Sequence, residues 1–218
     1  PGMMEYEIDA EYMHEFRKAG MTPAYTTIVG GGENGCILHY VDNNQILDAN
    51  DLLLIDAGAE NQGYASDITR TFPVSGKFSD EQRILYQIVL DAQHAAIEVA
   101  KPGNRWIDPH NAAVRAITVG LLENGLLEGD LEELISENKY SSFYMHKTGH
   151  WLGLDVHDVG DYKIDEEWRE LEPGMTLTVE PGLYITASED VDEKWWNIGI
   201  RIEDDILVTE LGNEVLTG

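Results

Sequence analysis

Apolar residues along this chain fall into two regimes, short β-prone runs that stop at a charge and longer stretches with helical spacing. The sharpest run-and-stop is residues 52–72, LLLIDAGAENQGYASDITRTF. Four apolar residues, 52–55, lead straight into Asp56, a turn-rich interval passes through Gly58, Asn61 and Gly63, and Asp67 opens the β-prone run 68–72. The pattern predicts a hairpin with a carboxylate on each arm. An unpaired carboxylate costs on the order of several kcal/mol to desolvate, so a buried strand should not end in a bare charge. Asp56 needs a cation, a hydrogen-bond network or water.

Helical spacing comes first at residues 5–19, where Tyr6, Ile8, Met13 and Phe16 stand among charges, ended by Gly20 with Pro23 beyond. Residues 26–29 read as β-prone, Gly30-Gly31-Gly32 as a loop, and residues 36–41 (CILHYV) as a second short strand carrying His39. Ser79-Asp80-Glu81-Gln82 has capping-box spacing ahead of a long helix with Leu85, Ile88, Val89, Ala92 and Ala96 on one face. Asp108-Pro109 opens another helix, with Ala113, Ile117, Gly120 and Leu121 as its inner stripe and Asn124-Gly125 as its stop. Both long helices are expected to layer over a sheet. A short acidic helix at 130–138 then precedes a strand-like run at 140–145.

The second half repeats the theme. Residues 175–179 (MTLTV) end in Glu180-Pro181-Gly182 much as 52–55 end in Asp56-Ala57-Gly58, and residues 198–208 read as a strand holding Glu203. Each half thus offers a strand ending in a carboxylate and a later strand with another, at spacings of 11 (56 to 67) and 23 (180 to 203). This weak symmetry points to two similar α+β halves facing one cleft.

Charge adds a constraint on partners. With 14 Lys and Arg against 41 Asp and Glu, the formal net charge is -27 in 218 residues, which disfavours nucleic acid and anionic membranes and favours neutral or cationic partners or bound metal. Cys36 is the only cysteine, so no intrachain disulfide forms, and no apolar stretch approaches membrane-spanning length. A cytoplasmic, reducing setting is expected. The chain begins at Pro1, as a piece cut from a longer protein would.

Between the halves lies MHKTGHWLGLDVHDVG, residues 145–160, holding His146, His150 and His157, three of the seven histidines. A helix would put His146 and His150 on one face, whereas Gly149 and Gly153 favour a loop or an irregular strand edge. Four strand-end carboxylates with one histidine would make an oxygen-rich site suited to hard or borderline divalent ions such as manganese. Two such ions would balance about four negative charges, roughly 3.5 to 4 Å apart, which is the equipment of a hydrolase. The other reading of the same acids is that they are solvated strand ends in a very acidic chain.

The stretches LIDAGAENQGYASDITRTFPVSGKFS, FYMHKTGHWLGLDVHDVGDY, TVEPGLYI and GIRIEDDILVT together resemble the aminopeptidase P family, the Xaa-Pro aminopeptidases among the metallopeptidases with the pita-bread fold. The resemblance implies an α+β fold of two pseudo-symmetric halves, with a curved antiparallel sheet covered by helices. It makes residues 1–218 a single catalytic domain, the C-terminal part of a longer, homo-oligomeric protein whose N-terminal domain is absent here. It implies that Asp56, Asp67, His150, Glu180 and Glu203 ligate two metal ions, usually manganese, with Asp67 and Glu203 bridging and Glu180 also shuttling a proton. By the same resemblance His39 and His157 are substrate-side histidines, His146 an accessory one, and Arg201 a support for the metal carboxylates. The implied substrates are peptides with proline in second position, and Tyr184, Trp151 or Trp195 are candidate walls for the proline ring. A prolidase acting on dipeptides, or a peptide-binding module without catalysis, are the alternatives. Lys147-Thr148-Gly149 departs from the Gly-x-Ser of some bacterial relatives and leaves the ligands untouched.

Overall fold

A computed structural model describes residues 1–218. It opens on α1 (Glu5–Lys18), with Glu5 and Glu7 in the first turn and Arg17 and Lys18 in the last, the charge order a helix dipole favours. Strands β1 (Thr22–Pro23) and β2 (Ile28–Gly31) follow. Next come β3 (Leu52–Asp56), the two small strands β4 (Ala59–Asn61) and β5 (Tyr64–Ala65), and β6 (Thr69–Pro73). β3 and β6 are the two arms of the expected carboxylate hairpin, paired antiparallel with Asp56 opposite Thr69.

The helical layer forms as the spacing predicts. In α2 (Asp80–Val99) the capping box is made, Ser79 Oγ accepting from Gln82 N at 3.1 Å while Ser79 N donates to Gln82 Oε1 at 2.9 Å. α3 (Asp108–Glu123) carries Pro109 in its first turn, and the short α4 (Leu131–Ser136) is capped by Asp130. α2 and α3 pack so closely that a Cβ on Gly120 would meet Ile88 Cγ1 at 2.6 Å. Leu85, Val89 and Ala92 of α2 and Ile117 and Leu121 of α3 belong to one cluster of 26 buried residues. Truncating a side chain such as Leu85 to alanine there costs about 2–5 kcal/mol. A second cluster, Val29, Leu47, Leu53, Ile55 and Ala57, is covered by Ile8, Tyr12 and Phe16 of α1.

The second half contains the β7 (Lys163–Ile164) and β8 (Glu167–Trp168) hairpin, then β9 (Thr176–Val179), β10 (Gly182–Ile185), β11 (Ile198–Arg201), β12 (Asp204–Val208) and β13 (Asn213–Val215). Every pairing in the chain is antiparallel. The order β2-β3-β6 in one half has its counterpart in β13-β12-β9 in the other. Asp56 ends β3 and Asp67 lies two residues before β6; Glu180 follows β9 and Glu203 precedes β12, with Val179 opposite Asp204. The echo in sequence is therefore an echo in structure.

Four local expectations fail. Residues 36–41 form no strand; after a 3-10 turn at Gly32–Cys36 the chain loops around the buried Glu5 carboxylate. That carboxylate accepts from Gly31 N, Asn34 Nδ2, Tyr40 Oη and Gln45 N at 2.8 to 3.0 Å, a tertiary demand that overrides local β propensity. Gly30 and Gly31 lie in β2 instead of a loop. Residues 140–145 are likewise no strand, because a 3-10 turn spans Lys139–Ser142 and Tyr144 N donates to Tyr140 O. The run 198–208 is two strands, not one. It breaks at Ile202-Glu203, where Glu203 N turns to donate to Thr69 O at 3.1 Å.

Candidate metal centre

The four carboxylates converge because the two antiparallel pairs end toward each other. Asp56, Asp67, Glu180 and Glu203 line one cavity of about 240 Å³ together with His39, His146, His150, His157 and Arg201. Every residue singled out for chemistry in the sequence is in it. The histidine segment is a loop, not a helix, pinned to β9: His150 N donates to Thr178 Oγ1, Thr178 N to His150 O, and Glu180 N to Thr148 O at 2.7 Å. Gly149 is required there, since a Cβ would lie 2.0 Å from Thr178 O.

The tightest group is Asp67, His150 and Glu203, each with one ligand atom within 4.8 Å of the others. His150 Nε2 lies 3.3 Å from Asp67 Oδ2 and 3.6 Å from Glu180 Oε1. Its Nδ1 donates to Trp151 O at 3.0 Å, which leaves Nε2 facing the carboxylates; against burial, Asp67 and Glu180 raise this imidazole above its ordinary value, and a metal ion would take the place of the Nε2 proton. Asp56 sits on the other side of the group, where its Oδ2 accepts from Arg201 Nη2 at 2.6 Å.

The electrostatics fit a cation. Arg201 is the one buried basic side chain facing four carboxylates. Burial, then Asp67, Glu180 and Asp56, hold the Glu203 carboxyl well above the usual range. Burial pushes Glu180 up to about 7, against the pull of His150 and Arg201, and also raises Asp56 despite Arg201. Tyr25 Oη contacts both Asp56 Oδ1 and Asp67 Oδ1, yet a phenol has one hydrogen. Two carboxylates that crowd one donor are over-supplied with negative charge, and divalent cations are the natural remedy. The donors are five oxygen- or imidazole-bearing side chains with no thiolate, a set suited to hard or borderline ions.

The remaining histidines differ in what is left free. His146 Nδ1 donates to Lys147 O at 2.7 Å and Nε2 accepts from Tyr184 Oη at 2.8 Å, so both its nitrogens are used. Arg201 Nη1 donates to the same Tyr184 hydroxyl at 3.1 Å. Burial pushes His146 down to about 4, which keeps that ring neutral, and it lowers His157 as well. His157 stacks edgewise on His150 with centroids 4.1 Å apart and lies 6.5 Å from His39. Neither His157 nor His39 has a hydrogen-bond partner in the protein, which leaves their ring nitrogens for a bound molecule.

Sequence reasoning missed Tyr25, Thr69 and Asp205. Thr69 Oγ1 donates to Glu203 Oε2 at 2.6 Å, and Asp205 Oδ2 accepts from Asp67 N at 3.2 Å. Lone hydroxyls and a carboxylate beside a carboxylate carry no spacing signal. None of the three aromatics expected to wall the site lines the cavity; Tyr184 lies behind it, bonded to His146 and Arg201. Trp195 and Trp151 belong to the large hydrophobic core, packed there by their apolar surface.

A cavity of carboxylates and histidines between two antiparallel halves marks a metallopeptidase, and the chain belongs to metallopeptidase family M24, whose model matches residues 1–210. Over 218 residues it is 54% identical to the Xaa-Pro aminopeptidase of Escherichia coli K12, covering 100% of this chain and 49% of that protein. The Haemophilus influenzae Xaa-Pro aminopeptidase is 53% identical, with 100% and 50% covered. The structure of Pseudomonas aeruginosa aminopeptidase PepP superposes with a TM-score of 0.98 at 56% identity, covering 100% of this chain and 50% of that one. E. coli aminopeptidase P with the inhibitor Pro-Leu gives 0.97 at 53%, with the same coverage. The fold is thus the pita-bread fold, and the chain spans about half the length of the relatives it matches.

Proposed function

We propose that this chain carries the active site of a metal-dependent aminopeptidase that removes the first residue from peptides with proline in second position. The observation that carries the reading is the convergence of Asp56, Asp67, His150, Glu180 and Glu203 with His39 and His157 on one cavity, in a chain 54% identical to a named Xaa-Pro aminopeptidase. Those five side chains would hold two divalent ions, with manganese suited to the oxygen-rich set, and Asp67 and Glu203 are the candidates to bridge them. When bound, such ions polarise a carbonyl and supply a nucleophile at neutral pH.

The chain's own residues account for the rest. Glu180 Oε1 faces His150, so Oε2 is the atom to take a proton from the nucleophile and pass it to the departing nitrogen. That transfer matters for proline, whose amide nitrogen has no hydrogen of its own before it leaves. His157 and His39, with free ring nitrogens, donate to the peptide and to the oxyanion as it forms. Arg201 fixes Asp56, and through Tyr184 it fixes His146, so that one guanidinium orders both sides of the cavity.

We read residues 1–218 as one catalytic unit of a longer protein that assembles as a homo-oligomer; their covering about half of each relative supports the greater length. No helix is long and apolar enough to cross a membrane, and the net charge of -27 disfavours nucleic acid and anionic lipid. The single half-buried Cys36 suits a cytoplasmic setting.

The test compares the peptides Arg-Pro-Pro, Arg-Ala-Pro and Arg-Pro after manganese loading. Release of arginine from the first and not the second supports the proposal. Cleavage of the dipeptide alone would make the protein a prolidase. Binding without turnover, undiminished in Asp67→Ala, would make it a peptide-binding module.

A further inference from the structure

A second cavity, of about 450 Å³, shares Lys147 and Gly149 with the metal cavity but is lined by none of its carboxylates or histidines. Its size is that of a small-molecule site. The walls are aromatic and apolar, with Trp106, Tyr162, Trp168 and Leu177. Trp106 is held by two neighbours, its ring centroid 4.1 Å from Trp151 and 4.7 Å from Tyr162. Lys147 and Lys163 line the cavity and no acidic side chain does, in a chain with 41 acids and 14 bases. Lys163 Nζ lies 4.7 Å from the centre of the Trp168 ring, at the junction of the cationic and aromatic walls.

His110, on the first turn of α3, supplies a directed donor. It is 8% exposed and lines the cavity. Its Nδ1 lies 2.9 Å from Thr148 Oγ1, which is also the one partner of the buried Tyr144 hydroxyl. A buried phenol hydrogen without an acceptor costs about 1–3 kcal/mol, so Tyr144 donates to Thr148 and Thr148 donates to His110 Nδ1. The ring hydrogen is therefore on Nε2, which has no partner in the protein. Burial and Lys147 push His110 down to about 4, which keeps the ring neutral and this arrangement intact.

The geometry points to a binding site for a small hydrophobic carboxylate, its apolar part between Trp106, Tyr162 and Trp168 and its charge on His110 Nε2, Lys147 and Lys163. Aromatic walls alone would accept any flat molecule. Three donors and no acid among the lining side chains select one that carries an anion.

The test uses the whole chain stripped of metal with EDTA, so that carboxylates cannot bind at metal ions. Indole-3-acetate and 4-phenylbutyrate are titrated calorimetrically, each beside its primary amide. Saturable binding of one molecule per chain is expected for at least one acid, weakened about tenfold for its amide and about tenfold by Lys163→Met. Trp168→Ala should weaken acid and amide alike. Lys163 is exposed on the β7–β8 hairpin, whereas Trp168 packs against the large buried cluster, so Trp168→Ala is read once its melting curve matches the parent's and Lys163→Met carries the test otherwise. Three results would overturn the assignment: no binding of either acid at millimolar concentration, equal binding of acid and amide, or binding indifferent to both substitutions.

Discussion

Arg201 Nη2 and Asp56 Oδ2 lie 2.6 Å apart, both side chains buried, in the one contact where a fixed positive charge meets the carboxylate cluster. Removing one partner of such a pair leaves the other charge uncompensated, at about 3–5 kcal/mol. Arg201→Met should therefore lower the unfolding midpoint in urea by that equivalent. Arg201→Lys should fall between, since an ammonium cannot reach Asp56, Thr69 and Tyr184 together as the guanidinium does. A lysine variant as stable as the parent would contradict the role given to the fork.

Glu203→Gln should have effects of opposite sign with and without metal. The Glu203 carboxyl is held far above its ordinary range by burial and by Asp67, Glu180 and Asp56. A neutral amide of the same shape can still accept from Thr69 Oγ1 and removes that repulsion. In EDTA the variant should unfold at higher temperature than the parent, whereas with manganese it should bind less metal and lose the stabilisation the parent gains. Melting curves in both conditions check this.

The metal-free protein should become less stable as pH rises from about 5 to 8. Glutamate in an unfolded chain titrates near 4.3. Folded and without metal, Glu180 is pushed up to about 7 by burial and by Asp67 and Asp56, against His150 and Arg201. Between those values the folded chain holds the extra proton, so stability is present at the acidic end and lost as pH passes through the folded value. Urea midpoints in EDTA across this range should fall, and saturating manganese should flatten the trend. A rise with pH in EDTA would contradict the account of the cluster.

Glu5→Ala should destabilise by on the order of 3 kcal/mol or more, because it strands the donors of Gly31, Asn34, Tyr40 and Gln45 around a fully buried carboxylate. The damage should centre on the loop that carries His39. Amide hydrogen exchange should quicken most at residues 31–45 and less in α2 and α3.

How much of this was legible in the sequence depended on whether a feature is local. The β3–β6 hairpin could be read because an apolar run stops dead at Asp56, and α2 because Ser79 and Gln82 satisfy each other three residues apart. The four carboxylate candidates stand at or beside strand ends, whereas His150 lies on a loop and could be named only through the family resemblance. The loop at 36–41 could not, since its shape answers to Glu5, which is remote in sequence. Nor could the break at Ile202-Glu203, where β-prone alternation runs on while the backbone turns to Thr69. Tyr25 and Thr69 are isolated hydroxyls whose role exists only once the two halves meet. Trp151 and Trp195 show that aromatic content does not tell which face of the chain is buried.

The most direct measurement loads the EDTA-stripped protein with manganese, counts bound metal, and follows release of arginine from Arg-Pro-Pro in the same sample. The account predicts about two ions per chain, with turnover appearing as they bind and absent in Asp67→Ala. A protein that takes up no manganese while remaining folded would contradict it.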